Sequence, residues 1–288
     1  NLSRAMKRFA AQGFHEAPDV QALMNGSRDE ISQLAWSFDE LAKHTMLQMN
    51  KLEEQNHLRR ELAANISHDL RTPLAAMLGY IETLNMKSDS LDEDEKRSCL
   101  IIAQQHGQRL SRLVDDLFEL AKFDAREITI NCEVFSLSEF IHDVIQKFQN
   151  RAAQEKILLS LECPQQALLV AADIALIERV LDNLIANAFN HSVKENRITV
   201  KVIEHQDTVK ISVSDTGCGI AEAELPKIFS RFYQANNQHR KGQHAGLGLA
   251  IVNKILTLHG QSIEVKSKLN KGSVFSFSLP KAGENSRC

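Results

Sequence analysis

Apolar positions recur three and four residues apart over most of the first 125 residues, then give way to two-residue alternation broken by further helical stretches. Leu62, Ile66, Leu70, Leu74 or Pro73, Met77, Ile81 and Leu84 form one helical stripe within a pattern that runs from Leu41 to about Lys87. Ser88-Asp89-Ser90 breaks it. Asp92, Glu93, Asp94 and Glu95 then supply an acidic helix start, and Leu100, Ile101, Ala103, Leu110, Leu113, Leu117 and Leu120 a second stripe. The pair predicts an antiparallel hairpin, and two copies would bury its stripes as a four-helix bundle. Upstream, Leu2, Met6, Phe9 and Ala10, then Ile31, Leu34, Phe38 and Leu41, predict two short helices, with Gly13 and Pro18 between them. They are too small for a core of their own and should pair with a second copy.

After Phe123-Asp124-Ala125 the period changes. Ile128, Ile130, Cys132 and Val134 alternate as a strand, and Ser136 with Glu139 has the spacing of a capping box opening a helix through Phe148. Strands are predicted at Ile157–Leu161, Leu168–Val170, Ile198–Ile203, Val209–Val213, Ile263–Lys266 and Val274–Leu279, and helices at Ile174–Phe189 and Leu247–His259. This order implies a sheet covered on one face by helices, an α/β sandwich.

His68 stands off the first stripe. It lies about 200° around the helix from Ile66 and from Leu70, on the face a bundle leaves in water. A neighbouring carboxylate, Asp69, can take or hold the proton of one ring nitrogen and leave the other free to attack an electrophile. Thr72, one turn on, could orient a water, and Pro73 predicts a bend. By themselves these residues more readily describe a solvated His beside a solvated Asp.

A second constellation lies downstream. Asn183 and Asn187, four apart, share a helix face that can offer amide oxygens to magnesium without adding charge where a polyphosphate must sit. Ser214-Asp215-Thr216-Gly217-Cys218-Gly219-Ile220 follows a strand; its glycines allow close backbone approach and Asp215 could accept from an exocyclic amine such as adenine's. Ile228-Phe229-Ser230-Arg231-Phe232-Tyr233 precedes a polar segment, Gln234 to Ala245, that reads as a mobile lid. Gly246-Leu247-Gly248-Leu249-Ala250 opens a helix whose unpaired amides suit phosphate oxygens, and Lys271-Gly272-Ser273 follows.

Composition narrows the classes. With 43% hydrophobic and 25% charged residues the chain is ordinary globular protein, so disorder is not the default. A net charge of −3 offers no basic field for nucleic acid. Cys99, Cys132, Cys163, Cys218 and Cys288 are scattered without a CxxC pair, suggesting neither a zinc site nor a disulfide framework and fitting a reducing cytosol. No eighteen-residue apolar run or signal peptide is visible.

Ile66 through Leu74 resembles the phosphoacceptor box of sensor histidine kinases, although that family more often has Glu where Asp69 stands. The downstream order, NxxxNA, DxGxG, aromatic box, lid, GLGLA and Lys-Gly-Ser, resembles the ATP-binding domain shared by histidine kinases, gyrase, heat-shock protein 90 and MutL. Asp29 through Phe38 looks like the second helix of a HAMP linker. The resemblance implies a HAMP linker over 1–50, a dimerisation and phosphoacceptor domain over 51–126, a catalytic ATP-binding domain over 127–281 and a polar tail over 282–288. His68 is then the phosphoacceptor, with Asp69 and Thr72 assisting. Asn183 and Asn187 hold magnesium, and Asp215, Gly217, Gly219, Phe229, Arg231, Phe232, Gly246, Leu247, Gly248, Leu249 and Ser273 join them around ATP. It further implies a homodimer, transfer to an Asp of a response regulator with a reverse phosphatase activity, and the cytoplasmic portion of a membrane-anchored protein whose transmembrane segment precedes Asn1.

Members of the superfamily that hydrolyse ATP resemble one another in carrying Glu where Asn183 stands, and an amide is no general base. Asn183 therefore favours transfer over hydrolysis. Two departures keep rivals open. Histidine kinases commonly have Lys or Arg at the position of Asn190, and a Gly-Gly or Gly-Thr pair at that of His244 and Ala245. Arg231, Arg240 or Lys241 could replace the lost cation; otherwise the chain is a degenerate kinase that holds its regulator without phosphorylating it. The other rival, an ATPase of the wider superfamily, is disfavoured by Asn183 and by the helical hairpin that carries His68.

Overall fold

Fifty-seven residues from Glu30 to Met86 form one helix, α1, and Pro73 sits inside it without ending it. The structure, a computed structural model, describes residues 7, 9–11, 30–87, 90–125, 128–164, 166–193, 195–233 and 246–282. The expected lid, Gln234 to Ala245, and the linker around Gly13 and Pro18 lie outside these residues. The chain divides into two units, Asn1–His68 and Asp69–Cys288.

In the first unit the Phe9 and Phe38 rings meet edge to face with centroids 6.0 Å apart, and Phe9 and Ala42 are buried. Aromatic edges on faces favour this geometry, which fixes the short upstream helix against α1. Leu34, Trp36, Leu41, Leu47 and Leu52 remain exposed.

The second unit opens with the rest of α1 and with α2, Glu93–Asp124. The acidic start is a full capping box. The Asp92 side chain accepts from the Glu95 N–H while the Glu95 side chain accepts from the Asp92 N–H, so two otherwise orphaned donors are satisfied. The hairpin is pinned where Tyr80 stacks on His106. Of the predicted stripe, Ile66, Leu70, Pro73, Met77 and Leu84 are buried or half-buried, whereas Leu74 and Ile81 stay exposed, as do Leu78 beside them and Leu100 and Ile101 on α2.

Beyond α2 come β1 (Glu133–Ser136), α3 (Leu137–Glu155), β2 (Leu158–Glu162), β3 (Leu169–Ala172), α4 (Ile174–His191), β4 (Arg197–Glu204), β5 (Thr208–Asp215), a 3-10 turn at Glu222–Lys227, α5 (Gly248–Leu258), β6 (Glu264–Lys268) and β7 (Gly272–Pro280). β1 pairs antiparallel with β3; the other five strands form a sheet in the order β2-β4-β5-β7-β6, with β2 parallel to β4 and the rest antiparallel. Along β5 every second residue, Val209, Ile211, Val213 and Asp215, is buried. The Val209, Ile211 and Val213 side chains meet Ile177, Leu181, Leu184 and Ile185 of α4 and Ile251 and Ile255 of α5 in one core, which also takes in Leu113, Leu120 and Phe123 of α2. The helix-covered sheet agrees with the sandwich read from the alternation.

Three local readings need correction. Residues Ile128 to Cys132 form no strand; β1 starts at Glu133 because β3, its partner among the described residues, is four residues long. Ser136 occupies the N-cap of α3 without bonding through its side chain, and its hydroxyl is buried with no partner among the described residues; the Leu137 N–H donates to the Leu168 carbonyl at 2.8 Å. Cys132 is disulfide-bonded, whereas Cys99, Cys163 and Cys218 are free; spacing along a chain carries no information on which thiols a fold brings together.

Candidate functional site

On α1, His68 is exposed, as its position off the apolar stripe requires, and so is Thr72. Asp69 is half-buried within electrostatic range of Arg109 on α2. Burial pulls the Arg109 pKa down, and the Asp69 carboxylate opposes that. The Arg109 Nε is buried without a hydrogen-bond partner among the described residues.

The downstream motifs converge on one end of the sheet. Asp215 closes β5, is 7% exposed, and accepts the Gly217 N–H at 2.8 Å. Burial raises its pKa, opposed by the N–H groups of Gly217 and Ser273. A buried carboxyl with no cation beside it among the described residues is costly, and such groups are retained where a ligand donor completes them. Ser273 lies opposite Asp215 in the β5–β7 register and shares a 3.0 Å hydroxyl contact with Ser267. Ser267 also accepts the Ile220 N–H and donates to the Gly272 carbonyl. It ties the glycine loop to the end of β7, and nothing in its surrounding sequence signals that.

Asn183 and Asn187 are half-buried on the face of α4 opposite its core side. The Asn183 amide nitrogen donates to the Arg179 carbonyl at 2.9 Å, which directs its oxygen away. That oxygen points at the first residue of α5: a Cβ on Gly248 would lie 2.7 Å from it. Only glycine leaves this space open, and a Cβ on Gly217 would come 2.1 Å from the His191 carbonyl. An amide oxygen thus faces a helix start whose first N–H groups have no intrahelical acceptor, an arrangement able to hold a divalent cation together with phosphate oxygens.

Other predicted residues take different places. Gly219 and Gly246 are left-handed, and the Phe232 N–H donates to the Gly246 carbonyl at 3.0 Å. Leu247 is buried in the core and Leu249 packs against it, so these two can serve a ligand through backbone alone. Phe229 and Phe232 are half-buried against the same core. Arg231 is bonded to Asp124 at the end of α2, at 2.7 Å, and this contact holds the Asp124 carboxyl below its usual range. Arg179 of α4 similarly pairs with Asp116 and Glu119 of α2. Arg240, Lys241, His244 and Ala245 lie outside the described residues.

Residues 172–283 match the family model described as histidine kinase-, DNA gyrase B-, and HSP90-like ATPase, and residues 58–126 match the His Kinase A (phospho-acceptor) domain. The chain belongs to the sensor histidine kinases. Among curated relatives it is 35% identical over 292 residues to the sensor histidine kinase WalK of Bacillus subtilis, covering 97% of this chain and 48% of WalK. Among solved structures it is similar to histidine kinase ThkA in complex with response regulator protein TrrA (TM-score 0.63, 28% identity, 83% of this chain and 66% of that one). It is also similar to the histidine kinase AdeS of Acinetobacter baumannii (TM-score 0.59, 26% identity, 75% and 98%). The histidine kinase chain spans about half the length of curated relatives such as WalK. No helix among its described residues is long and apolar enough to cross a membrane.

Proposed function

We propose that this chain transfers the γ-phosphoryl group of ATP to His68 and then to an aspartate of a response regulator. The observation that carries this is the Asn183 amide oxygen aimed at the start of α5. Position 183 thus offers an amide, a cation ligand but no general base, beside a helix start suited to phosphate, so this residue does not activate water in competition with an imidazole. The donor set fits ATP with magnesium. Asp215 would accept from the adenine amine, Asn183 and Asn187 would hold the cation, and the N–H groups at the start of α5 would meet the phosphate chain.

An unprotonated His68 nitrogen attacks the γ-phosphorus, the bond to the β,γ-bridging oxygen breaks, and ADP leaves. Asp69 takes the proton from the other ring nitrogen. In the second step the regulator's carboxylate attacks the same phosphorus and the imidazole departs. Thr72 orients water for the reverse hydrolysis of the regulator's acyl phosphate.

Exposed Leu74, Leu78, Ile81, Leu100 and Ile101 support a homodimer that buries them as a four-helix bundle. The Phe9–Phe38 contact supports a HAMP-type linker over 1–50, ahead of a phosphoacceptor domain to 126 and a catalytic domain to 281. With that linker the chain would be the cytoplasmic part of a membrane-anchored sensor. Incubation with γ-labelled ATP and magnesium should give an acid-labile, base-stable label that His68→Gln abolishes. Phosphate release without protein label would instead indicate an ATPase, and nucleotide binding without either a regulator-binding module.

A further inference from the structure

Three amides, Asn183, Asn187 and Asn190, lie within about 60° of arc on α4 and span about 10 Å of its length. All three are neutral, whereas the ligand proposed for this face carries a polyphosphate. Arg231, the described cation on the lid side, is engaged by Asp124.

A different cation reaches the row from α3. Arg151 donates from Nη2 to the Asn190 Oδ1 at 3.1 Å and from Nε to Glu155 at 2.7 Å. Its guanidinium carbon sits 4.7 Å above the centroid of the Phe189 ring, which is itself fully buried and stacked on Phe148. The fork is thus held on one face and along one edge. Its remaining N–H groups have no partner among the described residues, although the side chain is only partly exposed. A planar guanidinium fixed this way has lost its rotamer freedom beforehand and can meet phosphate oxygens through paired donors.

We propose that Arg151, oriented by Asn190, is the cationic arm of the phosphate subsite on α4. The inference rests on the reading of this face as an ATP site, and it adds a residue from α3 that none of the nucleotide motifs contains. A helix clamp between α3 and α4 is the competing role, and it predicts no dependence on phosphate.

The test is titration of the full chain, with magnesium, against a β,γ-imido analogue of ATP, AMP and adenosine. Arg151→Ala should weaken the triphosphate analogue on the order of tenfold, the loss expected for one charge-assisted contact, while adenosine binds as in the unsubstituted protein. Adding Asn190→Lys to Arg151→Ala should restore most of the triphosphate affinity, and Arg151→Lys alone should lose less than Arg151→Ala. Unchanged triphosphate affinity in Arg151→Ala, an equal loss for adenosine, or no recovery with Asn190→Lys overturns the proposal. Absence of nucleotide binding by the unsubstituted chain, or indifference of adenosine binding to Asp215→Asn, overturns the ATP reading itself, and so the two failures are separable.

Discussion

The backbone N–H of Asp173 donates to Nε2 of His259 at 3.1 Å, across 86 residues of sequence. Because the other ring nitrogen contacts the Ile255 carbonyl at 2.9 Å, and a carbonyl only accepts, Nδ1 carries the hydrogen and Nε2 accepts. Asp173 is the N-cap of α4, and its carboxylate also accepts from Asn131 and Leu176. A neutral imidazole at the end of α5 therefore helps set where the helix carrying Asn183 and Asn187 begins. His259→Ala removes a buried ring and strands a buried N–H, which together cost about 2–4 kcal/mol. Urea denaturation should show a lower midpoint with an unchanged slope. His259→Gln, able to keep one acceptor, should lose less.

Asp215 exchanges stability for a binding group. Burial raises its pKa in the folded state, so the folded chain holds that proton more tightly than the unfolded one does. The resulting contribution is favourable at low pH and is lost as pH rises from the ordinary carboxylate value through the raised one. Asp215→Asn keeps an acceptor for the Gly217 N–H and removes the charge. Its melting temperature should match or exceed that of the unsubstituted chain at pH 7, with the difference shrinking near pH 4. ADP affinity should fall by about 1.5–3 kcal/mol, the range for a hydrogen bond to a charged group. A variant less stable at pH 7 by several degrees would contradict the assignment.

Asp124 and a phosphate group would compete for the Arg231 guanidinium. The Asp124 side chain is nearly half exposed, so the ion pair contributes at most about 1 kcal/mol and weakens with salt. Asp124→Ala should leave the melting temperature nearly unchanged. Freed from its partner, Arg231 should tighten ATP binding by up to about fivefold at low ionic strength, with the gain fading at high salt. Weaker binding in Asp124→Ala would mean that the pair orders the site instead of competing with it.

The parts that sequence made legible are those whose cause is local. Alternation in β5 and the apolar side of α4 are set by burial every second residue or every turn, and Val209, Ile211, Val213, Val180, Leu184 and Ile185 are buried as the periods require. Motif residues came with their spacing: the Asn183–Asn187 pair and the Asp215–Gly217 bond each lie within one turn. What stayed hidden is non-local. At the start of α3 the Leu137 N–H goes to the carbonyl of Leu168, 31 residues on, while the Ser136 hydroxyl makes no cap bond. Ser267, His259 and Arg151 act on residues 6 to 86 positions away, which no periodicity reports. Arg231 had the right chemistry for a phosphate, and only the fold shows that Asp124 holds it.

Two glycines in the site should respond to the same substitution in opposite ways. A Cβ on Gly217 would lie 2.1 Å from the backbone carbonyl of His191, the carbonyl that accepts the Cys218 N–H. Relief requires the chain to move at the end of α4, so Gly217→Ala should cost about 3 kcal/mol or more and lower expression or melting temperature plainly. A Cβ on Gly248 would lie 2.7 Å from Asn183 Oδ1, the far end of a side chain that can turn. Alanine there also gains up to about 1 kcal/mol of helix propensity at the start of α5. Gly248→Ala should fold as well as the unsubstituted protein and yet bind magnesium with nucleotide more weakly, because the amide oxygen is pushed out of position. Thermal melts paired with nucleotide titrations at varied magnesium separate the two. A destabilised Gly248→Ala, or one with unaltered magnesium dependence, would show that Asn183 is not placed by the space opposite it.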